Sequence, residues 1–215
     1  MDRTIHFENA TVFQLDPLTV PEKAIVRRLG YPAGEGRIDA GIRNMLDREI
    51  HKACEMITTS GIVRFLQVKE NSGESVSFQN ADFIIQSRQV SKMLKESDPV
   101  ILFIVTIGKE IEDEISRLQQ EDEITEGFIL DAVGSEMADA AADKMHHEIL
   151  KKIAGANGFT MTPRYSPGYG DWPVTVQKDI LKICSGERIG ISVNESSLMS
   201  PRKSVSAVMG FKKPD

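Results

Sequence analysis

The sequence contains little cysteine, no long apolar run and no surplus of basic residues. Cys54 and Cys184 are the only cysteines, which excludes a disulfide scaffold and a site held by four cysteines of one chain. The longest unbroken apolar run is Val100 to Val105, far short of the roughly 20 residues of a membrane-spanning helix. The N-terminus has no basic region followed by an apolar stretch, so we expect no secretory signal and a cytoplasmic protein.

Charge and length narrow the class of protein further. The 215 residues carry a net charge of −6, whereas proteins that bind nucleic acid usually carry a basic surplus or a clustered basic stripe. With 40% hydrophobic residues, the chain can bury a sizeable core. We therefore expect an ordered protein that binds neither nucleic acid nor a membrane.

The turn-rich stretch 31–36 divides the sequence into an N-terminal arm, residues 1–36, and a domain that spans residues 37–215. Apolar periodicity and capping residues predict helices over 21–29, 38–57, 87–94, 110–118, 126–153 and 176–183. Short apolar runs predict strands over 62–68, 76–78, 83–85, 100–107, 189–193 and 204–211. Helices and strands do not alternate regularly, which favours an α+β fold with an antiparallel or mixed sheet. The small residues in the middle of the longest helix would let another backbone or a ligand approach closely.

An irregular segment, Arg164-Tyr165-Ser166-Pro167-Gly168-Tyr169, follows the longest predicted helix. An arginine in such a loop can bind a carboxylate through two hydrogen bonds, and a glycine lets a ligand lie close to the backbone. A tyrosine offers a ring face and a hydroxyl. These residues suit a zwitterionic ligand with a flat ring, but their spacing alone favours a rigid surface loop with a salt-bridged arginine.

A second polar stretch, residues 194–201, leads into Ser204-Val205-Ser206. A polar hairpin between two strands accounts for it. In the functional interpretation, Glu195, Ser196 and Ser204 hold the ligand loop or face a cofactor on a partner.

A third candidate is the acidic stripe of Glu136, Asp139 and Asp143, which lie three and four residues apart on one helix face. The stripe is either a solvated helix face or a set of carboxylates that faces an ammonium or sulfonium group. The spacings of His51 with Cys54 and of His146 with His147 supply no third and fourth metal ligand.

Taken in order, these motifs resemble the activation (reactivation) domain of cobalamin-dependent methionine synthase. That domain carries an Arg-x-x-x-Gly-Tyr element for S-adenosylmethionine, which Arg164, Gly168 and Tyr169 match. Pro173 and Lys178 follow at the family's spacing, as does the pair Gly190-Ile191.

The resemblance continues through residues 194–206. The family has Thr-Glu-Ser-x-x-Met-x-Pro-x-x-Ser-Val-Ser there, and only the first position of this sequence departs from it. Two ordered motifs with the correct intervening length are more specific than either alone, and the good match covers residues 125–211.

The resemblance implies an α+β domain with a twisted antiparallel sheet and flanking helices. It also implies S-adenosylmethionine binding, with cobalamin carried by a partner methionine synthase or related corrinoid protein and an electron from a flavodoxin-type donor. The residues implied for S-adenosylmethionine are Arg164, Ser166, Gly168, Tyr169, Asp139 and Asp143. Those implied to face cobalamin are Glu195, Ser196, Met199 and Ser204. Asp16 is the candidate for an acidic contact that the family makes near its domain start.

The sequence contains no cobalamin, homocysteine or folate module, and it reaches Asp215 where the family continues with a tyrosine-bearing segment and a helix. We therefore expect a stand-alone reactivation subunit that supports reductive methylation of cob(II)alamin. The alternative is a non-catalytic docking module for a corrinoid protein of one-carbon metabolism.

Overall fold

A computed structural model describes residues 5–15, 17–31 and 38–214 of the protein. The strands are β1 (Thr11–Gln14), β2 (Ser60–Leu66), β3 (Val68–Asn71), β4 (Ser75–Phe78), β5 (Ile84–Gln86), β6 (Ser97–Thr106), β7 (Thr160–Met161), β8 (Ser192–Val193), β9 (Met199–Ser200) and β10 (Ser204–Lys212). The α-helices are α1 (Glu22–Arg28), α2 (Ala40–Met56), α3 (Arg88–Met93), α4 (Glu110–Gln120), α5 (Ile124–Asp143), α6 (Lys151–Ala156) and α7 (Gln177–Cys184).

The main sheet has five strands in the order β1-β2-β6-β10-β7, and every pair in it is antiparallel. Phe103 of β6 pairs with Val63 on one side and with Ala207 on the other. The predicted α+β class with an antiparallel sheet is thus confirmed. The strands β3, β4 and β5 form a second antiparallel sheet, and β8 pairs with β9 in a hairpin.

Both faces of the main sheet are buried, which explains why β6 is an unbroken apolar run rather than an alternating one. Val63, Phe65 and Phe103 face a core cluster that includes buried residues of α2, α4 and α5. Ile62 and Leu66 face a second cluster, which includes residues of α7 and the smaller sheet.

The longest predicted helix is present, with one difference. After α5, the seven residues Lys144–Leu150 adopt a π-helical conformation before α6 begins. The small residues of α5 do allow a close approach, because a Cβ at Gly134 would lie 2.9 Å from the Cγ2 atom of Ile111 in α4. The middle of the long helix therefore packs tightly against α4. The wider π segment follows it and precedes α6 and β7.

Two sequence predictions need correction. The strand predicted over 189–193 shrinks to Ser192–Val193, because a 3₁₀ turn (Gly186–Ile189) precedes it and Gly190 has a left-handed φ of 74°. Residues 11–14, which no strand prediction covered, form the edge strand β1.

The N-terminal arm packs on the same core as the rest of the chain. Leu15 and Ile25 are fully buried in the first cluster, together with residues of α5. All but the first residue of the predicted boundary stretch 31–36, and the candidate contact Asp16, lie outside the described residues.

Candidate functional site

The segment 163–173 is irregular but firmly held against the main sheet. Tyr165 donates its backbone N–H to the Val208 carbonyl of β10 at 2.8 Å, and Val208 donates to the Tyr165 carbonyl at 2.8 Å. The two backbone hydrogen bonds fix Arg164, one residue earlier, beside the end of the long helix. Strand-like pairing at one point thus positions a segment with no regular structure of its own.

Asp171 fastens the far end of the segment to α3. Its carboxylate accepts hydrogen bonds from the Ser87 hydroxyl and from the backbone N–H of Arg88, the latter at 2.7 Å. The Ser87 hydrogen bond is the main cause that lowers the pKa of Asp171. Trp172, next in the chain, is 1% exposed in the second core cluster, and its carbonyl accepts from Gly168 N–H at 2.8 Å.

Gly170 occupies a position that other residues would fill only with strain. Its φ is 54°, and a Cβ there would lie 2.2 Å from Gln89 Oε1 and 2.3 Å from the Tyr165 hydroxyl. Those two atoms are hydrogen-bonded to each other at 2.6 Å, with the tyrosine donating. The glycine therefore makes room for a contact that ties the loop to α3.

The guanidinium of Arg164 forms an ion pair through one nitrogen and leaves another without a hydrogen bond. Its Nη2 atom lies 3.2 Å from Asp143 Oδ1, at the end of α5. Its Nη1 atom is buried and makes no hydrogen bond. The guanidinium therefore retains donor capacity after its ion pair with Asp143 is made.

The acidic stripe links three parts of the chain. Glu136 Oε1 accepts from Arg28 Nε of α1 at 2.6 Å, and Asp139 Oδ2 lies 3.9 Å from Arg28 Nη2. Asp143 contacts Arg164 as described above. Partial burial raises the pKa of Asp139, the nearby Arg164 opposes this shift, and the side chain remains about half exposed. Asp139 is therefore the member of the stripe whose carboxylate is least neutralised by a close ion pair.

The Arg164 loop and Asp139 of the acidic stripe border an open pocket of about 440 Å³. Its lining residues are Asp139, Arg164, Tyr165, Ser166, Tyr169, Gly170 and Val205. Of the six residues predicted for S-adenosylmethionine, four line the pocket, Asp143 contacts Arg164, and Gly168 bends the loop with a φ of 93°.

The sequence interpretation missed Tyr165, Gly170 and Val205 as pocket residues. Tyr165 lies within the Arg-x-x-x-Gly-Tyr element and Gly170 directly follows it, so their positions in the sequence could have identified them as pocket residues. Val205 stands in the second motif, Ser204-Val205-Ser206, and the strand β10 brings it to the pocket of the first motif.

The residues predicted to face cobalamin do not line this pocket. The Glu195 carbonyl accepts from Lys178 Nζ of α7 at 3.1 Å, Ser196 is exposed, and Met199 packs against the second core cluster. Ser204 donates to the Pro201 carbonyl at 2.7 Å and precedes the pocket residue Val205. The polar stretch is a hairpin between β8 and β9, as one of the two sequence interpretations had it.

The remaining titratable candidates form no metal centre in the structure. Among residues 5–15, 17–31 and 38–214, no three or more His, Cys, Asp or Glu side chains are placed to hold a metal ion. His146 is 8% exposed, its ring lies 4.2 Å from the ring of His147 in a tilted arrangement, and its burial lowers its pKa. Burial raises the pKa of the Cys184 thiol, which makes the thiolate form scarce. Within the same part of the chain, no helix is long and apolar enough to cross a membrane.

A family model described as "Vitamin B12 dependent methionine synthase, activation domain" matches residues 44–215. The chain belongs to this family. The match extends well beyond residues 125–211, in which the motifs lie, and takes in most of α2 and the strands that follow it.

A solved structure gives the same result for the fold. A crystal structure described as the MetH reactivation domain bound to AdoHcy superposes with a TM-score of 0.69 at 15% sequence identity. The superposition covers 98% of this chain and 80% of that one. This activation-domain chain therefore shares the reactivation-domain fold, and its α+β architecture is the family's.

Proposed function

We propose that the pocket beside Arg164 binds S-adenosylmethionine, and that the protein is a stand-alone cytoplasmic subunit that reactivates a cobalamin-dependent methionine synthase. One observation carries the proposal. In a chain of the activation-domain family, the Arg164 guanidinium and the half-exposed carboxylate of Asp139 line the same pocket.

The size and charge of the pocket fit this ligand. A volume of about 440 Å³ is within the usual range for small-molecule sites. S-adenosylmethionine carries a carboxylate, an ammonium group and a sulfonium group, so it has one negative and two positive charges. The pocket lining includes one cation, Arg164, and one carboxylate, Asp139, which complement the carboxylate and the ammonium group of the ligand.

Each residue has a role in this proposal. Arg164 binds the ligand carboxylate, and Asp143 orients Arg164 through their ion pair. Asp139 faces the ammonium group. The exposed ring of Tyr169 and the backbone near Ser166 and Gly168 hold the adenosine portion.

S-adenosylmethionine supplies an electrophilic methyl group, and the partner's corrinoid, once reduced by a flavodoxin-type donor, supplies the nucleophile. The chain's own contribution is to bind and orient the methyl donor, which converts an encounter of two molecules into a positioned one. The hairpin that bears Glu195, Ser196 and Met199, with Ser204 beside it, faces the partner's corrinoid.

The test is the visible spectrum of a corrinoid-loaded methionine synthase fragment that is held as cob(II)alamin with a flavodoxin-type reductant and S-adenosylmethionine. Adding the protein should convert the cob(II) band to that of methylcobalamin, and the Arg164→Ala variant should not. Arg48→Ala is the matched control, because Arg48 is an exposed arginine whose nearest acidic partner, Glu126, is 3.9 Å away. Equal conversion with and without the protein would rule out the reactivation role.

A non-catalytic docking module is the second candidate. It is favoured by the position of the hairpin, whose exposed residues Glu195, Ser196 and Leu198 lie outside the pocket and are free to meet another protein. A cob(II) spectrum that shifts on addition of the protein without methylation would support docking alone.

A further inference from the structure

A second arginine is buried in the main sheet without an anionic partner. Arg64 lies between Ile62 and Leu66 on the face of β2 that carries the second core cluster, and it is 9% exposed. Its burial lowers its pKa. In the described part of the chain, Arg64 forms no ion pair with a carboxylate.

The hydrogen bonds of Arg64 are also incomplete. Nη2 donates to the Asn80 carbonyl at 3.3 Å, and Nη1 is buried with no hydrogen-bond partner. The Asn80 side chain is already engaged and does not accept from Nη1. Its amide nitrogen donates to the carbonyls of Phe7 at 2.7 Å and Phe65 at 3.1 Å, and its amide oxygen accepts from the Gln67 N–H at 3.0 Å. A buried guanidinium in this state is costly, since it has lost water and gained no counter-charge.

Arg64 also borders a pocket of about 290 Å³ that shares no lining residue with the Arg164 pocket. The polar side chains that line it with Arg64 are Asn80, Asp82, Asp179 and Lys182. Lys182 adds a second, exposed cation, and the two aspartates are exposed carboxylates. The buried side of the pocket therefore carries the unpaired positive charge of Arg64, whereas the exposed side carries the charges of Lys182 and the two aspartates.

We propose that this pocket binds the carboxylate group of a small molecule, with Arg64 as its principal partner and Lys182 as the second. A guanidinium group binds a carboxylate through charge-assisted hydrogen bonds, and the Arg64 side chain forms part of the pocket wall. Asp82 and Asp179 repel further negative charge, so a singly charged carboxylate fits better than a phosphate dianion. The bound carboxylate would be the counter-ion that Arg64 does not find among the described side chains.

The experiment is a thermal unfolding series on the full chain in sodium acetate and in sodium chloride at equal ionic strength. Acetate should raise the Tm by about 2 °C or more over chloride in an Arg64-dependent way, and the Arg64-dependent rise in phosphate should be smaller. Arg64→Met should abolish the acetate response and, by removing an uncompensated buried charge, should raise the Tm in chloride. Lys182→Met should reduce the response, Asp179→Asn should enlarge it, and the control Arg48→Met should leave it unchanged.

Several outcomes would overturn the proposal. An equal acetate response in the unaltered protein and in Arg64→Met would mean that acetate acts elsewhere. A lower Tm of Asp82→Asn in chloride would mean that this carboxylate already pairs with Arg64 in solution. A larger, Arg64-dependent response to phosphate than to acetate would assign the pocket to a different anion.

Discussion

Arg164 and Arg64 each bury an Nη1 atom that makes no hydrogen bond, but their surroundings differ. Arg164 lies in an irregular loop, 3.2 Å from Asp143, and its side chain is 25% exposed. Arg64 lies in the inner strand β2 and, among the residues that the structure describes, forms no ion pair with a carboxylate. One charge is already balanced in the free protein and the other is not. Removing Arg164 should therefore affect ligand affinity far more than stability, whereas removing Arg64 should stabilise the free protein.

The largest effect expected on the Arg164 side is on affinity. Arg164→Ala should weaken S-adenosylmethionine binding about 30-fold, or about 2 kcal/mol, because a charged contact of two hydrogen bonds is lost. Its Tm should change little, because partly exposed ion pairs such as the one with Asp143 contribute little to stability. Titration calorimetry measures the affinity, with Arg48→Ala as the control.

Two results would contradict this prediction. If Arg164→Ala bound S-adenosylmethionine as tightly as the unaltered protein, the ligand would not lie against Arg164. If the unaltered protein showed no binding at millimolar ligand, the proposed methyl-donor site would be wrong, and the docking candidate would remain.

A second prediction concerns the scaffold of the Arg164 loop. Gly170→Ala should lower the free energy of unfolding by about 1.5 kcal/mol and weaken S-adenosylmethionine binding, because its Cβ displaces the Tyr165–Gln89 hydrogen bond. Gly168→Ala also strains a positive φ, but its nearest new neighbour is 3.9 Å away, so it should cost about 1 kcal/mol or less. Urea unfolding of the two variants measures the difference. Equal losses would mean that backbone strain alone matters there.

The acidic stripe offers a third test of the same pocket. Asp139→Asn should weaken S-adenosylmethionine binding about fivefold, because Asp139 is the stripe member that lines the pocket. Asp143→Asn should have a smaller effect, through the orientation of Arg164, and Glu136→Gln the least, because Glu136 is bound to Arg28. Calorimetry on the three variants ranks them. Equal and negligible effects would mean that the stripe serves only the fold.

The sequence alone predicted those features that depend on local pattern. The apolar run of β6, the serine cap of α3 and the periodic stripe of α5 each appear in the structure where the pattern placed them. The short strands β1 and β7 escaped prediction, because they are stabilised by pairing with β2 and β10 rather than by their own residues. The π segment likewise has no periodicity that distinguishes it from an α-helix.

The two arginines differ in the same respect. Arg164 could be singled out because its neighbours in the sequence, a glycine and two tyrosines, already suggest a ligand. Arg64 stands in an apolar strand. The residues that surround its guanidinium come from Asn80 and from α7, and α7 lies more than a hundred residues further along the chain. Local motifs therefore predict a binding loop, but an unpaired buried charge becomes visible only once the fold is known.

The smallest expected effect is a pH dependence that Asp139 confers on the Arg164 pocket. Partial burial raises the pKa of Asp139 above its ordinary range in the folded protein, although Arg164 opposes this. Its contribution to stability is therefore fully present below the ordinary pKa of an aspartate and is lost as the pH rises through the folded pKa. Binding has the opposite sign, because the ligand's ammonium group needs the ionised carboxylate.

Affinity for S-adenosylmethionine should therefore fall as the pH drops through the raised pKa of Asp139, starting at a higher pH than for an ordinary aspartate. Calorimetry from pH 7 down to about pH 4.5, above the ordinary range of an aspartate, would follow this decline. Asp139→Asn should flatten the profile and slightly raise the Tm at pH 7, whereas Asp143→Asn should keep the pH dependence. His146, whose pKa burial lowers, also lies near Arg164, so a decline that persists in Asp139→Asn would assign the pH dependence to the histidine instead.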